Sequence, residues 1–571
     1  TISDSSESQV AEIEAVEQRV SDVDQKTHQN ARDAANFSDL SEQMKSQSDN
    51  LASVVRNLTR LIGKRNAPPS HPRTQPKERN VMKNSAVFQI FVAFFFLFPL
   101  SVWGQSNDDG PRFPEAELTI GVMDADAIGG PASVHAKTWS ERTGGTVEVV
   151  KISFDDLFQR FEDSISGEAP VFDAIFYAPA WAGDFHEHLA PIPTELLDSV
   201  YFDDIHDTYR DRLMKWDDEW IAVTVDGDLF LGYYRTDLFE APENRAAFRS
   251  QHGRELRPPD TWAEYRQIAE FFQGRPGPDG NPVYGTAEVV REGNQRFWFL
   301  FGRAAAYANH PDHPGAQFFD PETMTPQINN PAWVRAVREY AEILAFTPPE
   351  PRDATLGDIR KLFSQGQAAM TVEWSDTAQI SADPERSEVV GNVGFFPLPG
   401  ARKVWNPGTG EWETPGGVHK VPFLAFGGWV ASVPKNSDQQ AAAWDFILWY
   451  GSPENSLRDV VRSGTGINPY RFSHFIRIDA WTEAFSRETA SEYLNVLRMS
   501  LDSPDAALDL RLPGFFEYTE ALETGLTRVF SGEETAQESM DRVAAAWETI
   551  TETYGRDQQR AIYRTSMGLR D

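Results

Sequence analysis

The sequence has 571 residues, no cysteine, and a formal net charge of −33 at pH 7. The lack of cysteine excludes disulfides, thiolate metal sites, a cysteine nucleophile and a lipid anchor attached to cysteine. So large a negative charge disfavours binding to nucleic acid or anionic lipid through a general electrostatic field, and it favours a soluble monomer.

The first segment of the chain is polar and free of proline. Over residues 1–63, apolar or small side chains recur at steps of three, four and seven, which is the pattern of a coiled-coil seam. Its run AEIEAVEQRVSDVDQKTHQNARDAANFSDLSEQMKSQSDNLASVV also resembles the C-terminal end of a bacterial methyl-accepting chemotaxis receptor. Residues 64–81 are rich in proline and arginine and are predicted to be a disordered linker.

A secretion signal is predicted next, well inside the chain. Residues 82–104 read MKNSAVFQIFVAFFFLFPLSVWG, with one lysine, a long apolar run and small or allowed residues at a cleavage site. Acidic and basic residues balance over 1–104, so the whole negative charge belongs to 105–571. An exported protein without a lipid anchor is expected in the periplasm of a Gram-negative cell.

Two interpretations of this arrangement stand side by side. In the first, two neighbouring genes or reading frames have been joined, and residues 82–104 are a signal peptide that is cleaved. In the second, the fusion is real, and the same segment is an uncleaved anchor between an internal coiled coil and an external domain. We favour the first, because a cleavage-like site directly follows the apolar run.

Strands and amphipathic helices alternate from residue 115 onward. ELTIGVMDA, TVEVVKI and VFDAIFYA are predicted strands, and VHAKTWSERTG and FDDLFQRFEDSIS are predicted helices between them. This order favours a parallel, doubly wound sheet, in which ligands bind beyond the carboxyl ends of the strands. The loops 124–130 and 179–184 are predicted to lie at those ends. The segment 406–420 is predicted to be a hairpin or insertion.

The main body resembles the extracellular solute-binding proteins of sugar ABC transporters, the group that includes maltose-binding protein. The resemblance rests on seven segments in the expected order: VFDAIFYAPAWAGDFHEHLAPIP, WIAVTVDGDLFLGYYRTDLF, RPPDTWAEYRQIAEFF, RKLFSQGQAAMTVEWSD, VGFFPLPG, FGGWVASVPKNSDQQAAAWDFILWY and EETAQESMDRVAAAWETI. It implies an α/β fold of two lobes, joined by hinge crossovers, that close on a ligand. Lobe 1 is expected at about 111–224 plus 425–470, and lobe 2 at about 225–424 plus part of 471–571.

Aromatic and carboxylate side chains suit a sugar, because indole faces stack on its C–H surface and charged groups hydrogen-bond its hydroxyls. Such side chains occur in loops after strands, at the presumed crossings and in aromatic runs. The candidate ligand-binding residues are Asp124, Trp181, Asp184, Asp226, Asp228, Trp298, Glu373, Trp374, Gly428, Trp429, Asn468 and Arg471. For several of them a structural role fits equally well. Trp181 and Trp374 could be packing residues, Asp226 and Asp228 turn residues, and Trp298 part of a helix core.

Three functions are compatible with these observations. The leading one is a periplasmic receptor that captures a sugar or oligosaccharide and delivers it to the membrane permease of an ABC importer. The second is an enzyme acting on glycans, which would need a carboxylate pair facing the scissile bond. The third is a signalling protein in which the coiled coil is a working part. No cofactor or metal is predicted, since His186-Glu187-His188 lacks a third ligand.

Overall fold

The computed structural model describes residues 112–569, apart from 126, 168–169, 294, 349–353 and 463. The predicted coiled coil, linker and signal segment lie outside the described residues. Within 112–569, no helix combines the length and the apolar character needed to cross a bilayer.

Fourteen strands are found in the described part of the chain. In chain order they are β1 (Glu117–Met123), β2 (Thr146–Ile152), β3 (Ala174–Tyr177), β4 (Lys215–Trp216), β5 (Glu219–Trp220), β6 (Val223–Asp226), β7 (Phe230–Arg235), β8 (Met370–Trp374), β9 (Val393–Pro397), β10 (Val404–Asn406), β11 (Glu411–Glu413), β12 (Phe423–Leu424), β13 (Trp429–Ser432) and β14 (Ala507–Leu508).

The α-helices of the same residues surround these strands. They are α1 (Gly129–Thr143), α2 (Phe154–Ser166), α3 (Ala182–Phe185), α4 (Asp207–Leu213), α5 (Thr236–Glu240), α6 (Pro242–His252), α7 (Trp262–Phe272), α8 (Arg296–Ala308), α9 (Pro331–Ile343), α10 (Leu356–Ser364), α11 (Thr377–Ala382), α12 (Gln440–Tyr450), α13 (Pro453–Val461), α14 (Phe472–Ile476), α15 (Arg487–Leu501), α16 (Phe515–Ser531), α17 (Ala536–Tyr554) and α18 (Arg556–Ser566).

The larger sheet has five strands in the order β2-β1-β3-β13-β6. The parallel pairing predicted for the first three strands is confirmed, since β1 runs parallel to both β2 and β3. One strand differs from that prediction, because β13 runs antiparallel to both of its neighbours, β3 and β6. The strands β7 to β12 lie between β6 and β13 in the sequence, and the chain enters the sheet at β13 from the opposite end.

The helices that flank this sheet begin and end as their sequences dictate. α1 ends at Gly144, which takes the left-handed conformation (φ 81°) that glycine adopts without strain. α2 packs through Leu157 and Phe161, and a side chain at Gly121 of β1 would lie 2.4 Å from the Phe161 ring. Glycine at that position therefore allows the close approach of helix and sheet.

The smaller sheet has three antiparallel strands in the order β8-β7-β9. Only three residues separate the end of β6 in the larger sheet from the start of the central strand β7, so residues 226–230 pass directly from one sheet to the other. β10 and β11 pair as a hairpin, as predicted for this part of the sequence. The residues that connect the two sheets are the ones that frame the site described next.

Candidate functional site

A cavity of about 140 Å³ lies where the two sheets meet. Its lining combines aromatic rings with carboxylates. The lining residues are Met123, Ala127, Phe154, Asp226, Asp228, Gln295, Trp298, Leu356, Arg360, Trp374, Asp376, Phe426, Trp429 and Gly466. Five of the predicted site residues are among them: Asp226, Asp228, Trp298, Trp374 and Trp429.

The crossing from β6 to β7 places two carboxylates on the cavity. The Oδ1 atom of Asp226 accepts hydrogen bonds from the backbone N–H groups of Gly227 (2.8 Å) and Asn468 (2.6 Å). The side-chain amide of Asn468 donates to Oδ1 of Asp228 at 2.6 Å. Asn468 does not line the cavity, but its hydrogen bonds hold both carboxylates in place. The hydroxyl of Ser375 donates in turn to Oδ1 of Asn468 at 2.6 Å.

The return crossing depends on Gly428. Its φ is +86°, and a Cβ at this position would lie 2.1 Å from the carbonyl oxygen of Asp226. Only glycine fits such an approach of two backbones. Trp429, the next residue, pairs with Asp226 across the sheet. Gly428 thus acts on the cavity through the backbone, by bringing the two crossings together.

Three tryptophans and a phenylalanine form the aromatic wall. Trp298 meets Trp374 with ring centroids 5.9 Å apart, and Phe426 lies 5.0 Å from Trp298 and 5.1 Å from Trp429. All three pairs pack edge to face, so the rings enclose the cavity from different directions. Hydrogen bonds fix two of the indoles: Trp374 Nε1 donates to the Ala425 carbonyl at 3.3 Å, and Trp298 Nε1 donates to the carboxylate of Asp509.

Two wall residues have unusual backbone conformations. Gln295 and Phe426 have φ values of +68° and +66°, although neither is glycine. Such conformations cost about 1–3 kcal/mol each and persist where the surrounding structure enforces them, often at functional sites. Both residues line the cavity, so the strain is located where it shapes the wall.

Arg360 forms an ion-pair cluster that the sequence did not reveal. From α10, its Nη1 and Nη2 donate to the two oxygens of Asp376 at 2.8 and 2.9 Å, and its Nε donates to Glu373 at 2.9 Å. Glu373, a predicted site residue, is fully buried behind the cavity and does not line it. Its role is to orient Arg360, and Oε2 also accepts from the backbone of Trp374 at 2.9 Å.

The carboxyl groups around the cavity are buried, and burial makes their charged forms unfavourable. Burial raises the pKa of Asp226 to about 7, against the opposing effect of its hydrogen bonds. The pKa of Asp228 also rises well above its ordinary value, through burial and through repulsion from Asp226 and Asp376. Burial likewise raises the pKa of Glu373 to about 7, even though Arg360 favours its charged form. The cavity is thus poor in compensating positive charge.

Besides Glu373, Gly428 and Asn468, four further predicted residues lie outside the cavity lining. Trp181 is fully buried and packs against Phe158 and Phe426, with centroids at 5.4 and 6.0 Å, so it supports the aromatic wall from behind. Arg471 is 1% exposed, and its guanidinium donates to backbone carbonyls, including that of Val200.

The other two differ in their surroundings. Asp184 accepts a hydrogen bond from the backbone N–H of Gly514 at 3.2 Å, and burial raises its pKa to about 7. It faces a separate cavity that Phe516 and Tyr554 also line. Asp124 is exposed, directly after Met123, which does line the central cavity. The loop predicted at 179–184 consists of two helical turns, Pro179–Trp181 and Ala182–Phe185.

Within 112–569, no group of three or more His, Asp or Glu side chains is arranged to hold a metal ion.

Two residues at the cavity, Asp376 and Arg360, were not among the predicted site residues. Asp376 follows the end of β8 by two residues, so its position after a buried strand could have identified it as a candidate. The pairing of Arg360 with Glu373 had no such signal, because these residues are 13 apart on different elements.

The sequence profile of the bacterial extracellular solute-binding protein family matches residues 135–471. The chain therefore belongs to this family. Its members bind solutes rather than transform them, and this chain is accordingly a binding protein and not an enzyme.

Solved structures share the fold. A solute-binding protein from Agrobacterium radiobacter in complex with ribitol has a TM-score of 0.61 at 21% identity, over 76% of this chain and 99% of its own. A maltose-bound protein of T. maritima gives 0.59 at 18%, over 76% of this chain and 100% of its own. A solute-binding protein from Agrobacterium vitis with bound D-mannitol gives 0.59 at 18%, over 77% and 99%. The chain thus has the mixed α/β fold of these proteins.

A curated relative is described as a probable amino-acid ABC transporter periplasmic-binding protein from Sinorhizobium fredii. It is 21% identical over 329 residues, which cover 56% of this chain. The match spans 65% of the relative's length.

Proposed function

We propose that this protein is the periplasmic receptor of an ABC importer and that it binds a sugar or polyol in the cavity between the two sheets. The observation that supports this most strongly is the composition of the lining: Trp298, Trp374, Trp429 and Phe426 beside Asp226 and Asp228. Aromatic faces cover the C–H surface of such a ligand, and the carboxylates accept hydrogen bonds from its hydroxyls. The neighbours solved with ribitol, maltose and D-mannitol are consistent with this class.

The mechanism we propose is closure of two lobes, one built on each sheet. The segment 226–230 joins the two sheets, and the segment 425–428 leads into β13 of the larger sheet. Both would act as hinges. A ligand held between the lobes contacts both only when they are closed, so it shifts the population toward the closed form. The closed form would then be the one that a membrane permease recognises.

An amino-acid ligand, as in the description of the curated relative, fits the cavity less well. An α-carboxylate needs a free cation or a set of free N–H donors. Arg360 is the only basic side chain among the described lining residues, and Asp376 and Glu373 already accept from its Nε, Nη1 and Nη2 atoms. The surrounding carboxylates would also repel the ligand's own.

The test is ligand binding by the full chain and by single tryptophan variants. A thermal-shift screen of neutral sugars and polyols should identify a ligand that raises the Tm of the wild-type protein. Trp374→Ala should then weaken its binding about tenfold or more, because a stacking surface is lost from the centre of the site. Isothermal titration calorimetry measures this loss.

Trp220→Ala is the matched control. This tryptophan is partly exposed on the β4–β5 hairpin and packs on Phe202, away from the cavity. Its replacement should leave affinity within twofold of the wild type. Equal affinity in Trp374→Ala and the wild type would contradict the placement of the site.

A further inference from the structure

The charges around the central cavity are not balanced. Four carboxyl groups lie on or directly behind its wall, those of Asp226, Asp228, Glu373 and Asp376. Arg360 is the only basic side chain among the described lining residues. Its guanidinium is held at 2.8–2.9 Å by Glu373 and Asp376. The remaining two carboxylates form no ion pair with it, although its charge still favours the charged form of Asp228.

Asp226 and Asp228 are buried although they lack an ionic partner. They are 2% and 7% exposed, and within the described residues neither takes part in an ion pair. The hydrogen bonds they accept come from neutral groups, namely the backbone of Gly227 and the backbone and side chain of Asn468. Among the described residues, the hydrogen bond to the Asp228 side chain goes to Oδ1, and none is found to Oδ2. A buried carboxylate pair of this kind is costly in its charged form, and a cation that joins it offsets that cost.

We propose that the ligand carries a protonated amino group and that Asp226 and Asp228 bind this group, so that the ligand is an amino sugar or an amino polyol. This inference rests on the proposed function, because it concerns the chemistry of the same cavity. The hydroxyl-bearing part of the ligand would contact the aromatic wall and Asp376. The ammonium would supply the missing positive charge at the β6–β7 crossing.

The aromatic wall suits a cation as well as a sugar ring. A cation near the face of a tryptophan is attracted by the ring quadrupole, and the interaction strengthens when water is excluded. Trp298, Trp374 and Trp429 all border the space next to the two carboxylates. The net charge of −33 adds a long-range field that draws cations toward the protein and repels anions.

Matched pairs of ligands distinguish the effect of the ligand's charge on affinity from the effect of its shape. We would titrate the full chain with D-glucamine and with D-glucitol, which differ only in a terminal amino group or hydroxyl, and likewise with D-glucosamine and D-glucose. N-acetylated D-glucamine provides an amide that cannot be protonated. At pH 7 and low salt, where the amines are protonated, we expect the best amine to bind at least tenfold more tightly than its neutral partner and its acetylated form.

Two variants test whether the Asp226–Asp228 pair causes the preference for the amine. Asp228→Asn should reduce the preference for the amine over its neutral partner at least fivefold, because one carboxylate of the pair is removed while the shape is kept. Asp198→Asn makes the same change in net charge at an exposed position. It should leave the preference within twofold of the wild type, which shows that the general field is not the cause.

The outcomes distinguish this inference from the proposed function. A neutral sugar or polyol that binds as tightly as its amine overturns the inference and leaves the proposed function in place. Binding of the polyamine spermidine with no binding of any polyhydroxy compound overturns both. An amine preference that survives in Asp228→Asn also overturns the inference, because the carboxylate pair would then not be the recognition element.

Discussion

At the scale of single residues, the site depends on carboxylates whose charge costs free energy because the fold buries them. Asp226 is almost fully buried, and its pKa of about 7 reflects the cost of its charge in that environment. Residues that serve binding often reduce stability in this way, because the cost is recovered only when the ligand is present.

Replacing Asp226 by asparagine should stabilise the ligand-free protein at high pH. Because the folded state raises the pKa of this carboxyl, it binds more protons than the unfolded state between about pH 4 and pH 7, and the stability of the wild type falls as pH rises through this range. Asp226→Asn removes that loss and keeps an acceptor for the N–H groups of Gly227 and Asn468. We expect a gain in the free energy of unfolding of about 1–3 kcal/mol at pH 8.

Urea unfolding of the ligand-free variant and the wild type at pH 4.5 and pH 8 measures this difference. The gain should be small at pH 4.5 and largest at pH 8. Asp198→Asn, at an exposed position, should show no gain at either pH. A gain in Asp226→Asn that does not depend on pH would contradict the account.

The tryptophans show what the sequence could and could not predict at this scale. Trp181 follows a buried strand and Trp374 ends one, and both are equally good candidates from the sequence. Trp374 borders the cavity, whereas Trp181 is enclosed by phenylalanines such as Phe158. The difference depends on side chains far away in the sequence, so local pattern could not decide it. Arg360 was missed for the same reason, because α10 and β8 bring it to its partners only in the folded chain.

At the scale of elements, the site is built where strands end and cross between the sheets. The strands β1, β2 and β3 and the helices between them were predictable from hydrophobic periodicity and from the glycine that ends α1. The antiparallel entry of β13 was not, because its partners lie more than 200 residues earlier in the chain. Its geometry depends on a run of three residues with positive φ, Phe426, Gly427 and Gly428.

The crossing should therefore be sensitive to a single methyl group. Gly428→Ala forces alanine into a left-handed conformation and against the Asp226 carbonyl, and we expect a loss of about 2–4 kcal/mol in the free energy of unfolding. Ligand affinity should fall as well, since the shift moves Asp226 and Trp429. Urea unfolding and calorimetry measure the two effects.

Gly416→Ala is the control for this change. Nothing lies within 4 Å of a Cβ at Gly416. Alanine there should change the free energy of unfolding by less than about 0.5 kcal/mol and leave binding unchanged. Equal effects of the two substitutions would show that the return crossing is not under the constraint described above.

At the scale of the whole molecule, two sheets of different construction are joined by a short segment that also carries binding groups. Asp226 and Asp228 lie on this segment between β6 and β7, and Phe426 lies on the segment that leads into β13, whose first residue is Trp429. A ligand that contacts these groups therefore acts on the parts of the chain that any closure must bend. This coupling between binding and shape is the basis of the receptor function that we propose.

A crystal structure of the full chain with the sugar, polyol or amine that gives the largest thermal shift tests the central claim most directly. The account predicts one ligand in the central cavity, stacked on Trp374 or Trp429, with Asp226 and Asp228 within hydrogen-bond distance of its polar groups. A ligand bound elsewhere, such as in the separate cavity next to Asp184 and Tyr554, with the central cavity empty, would contradict it.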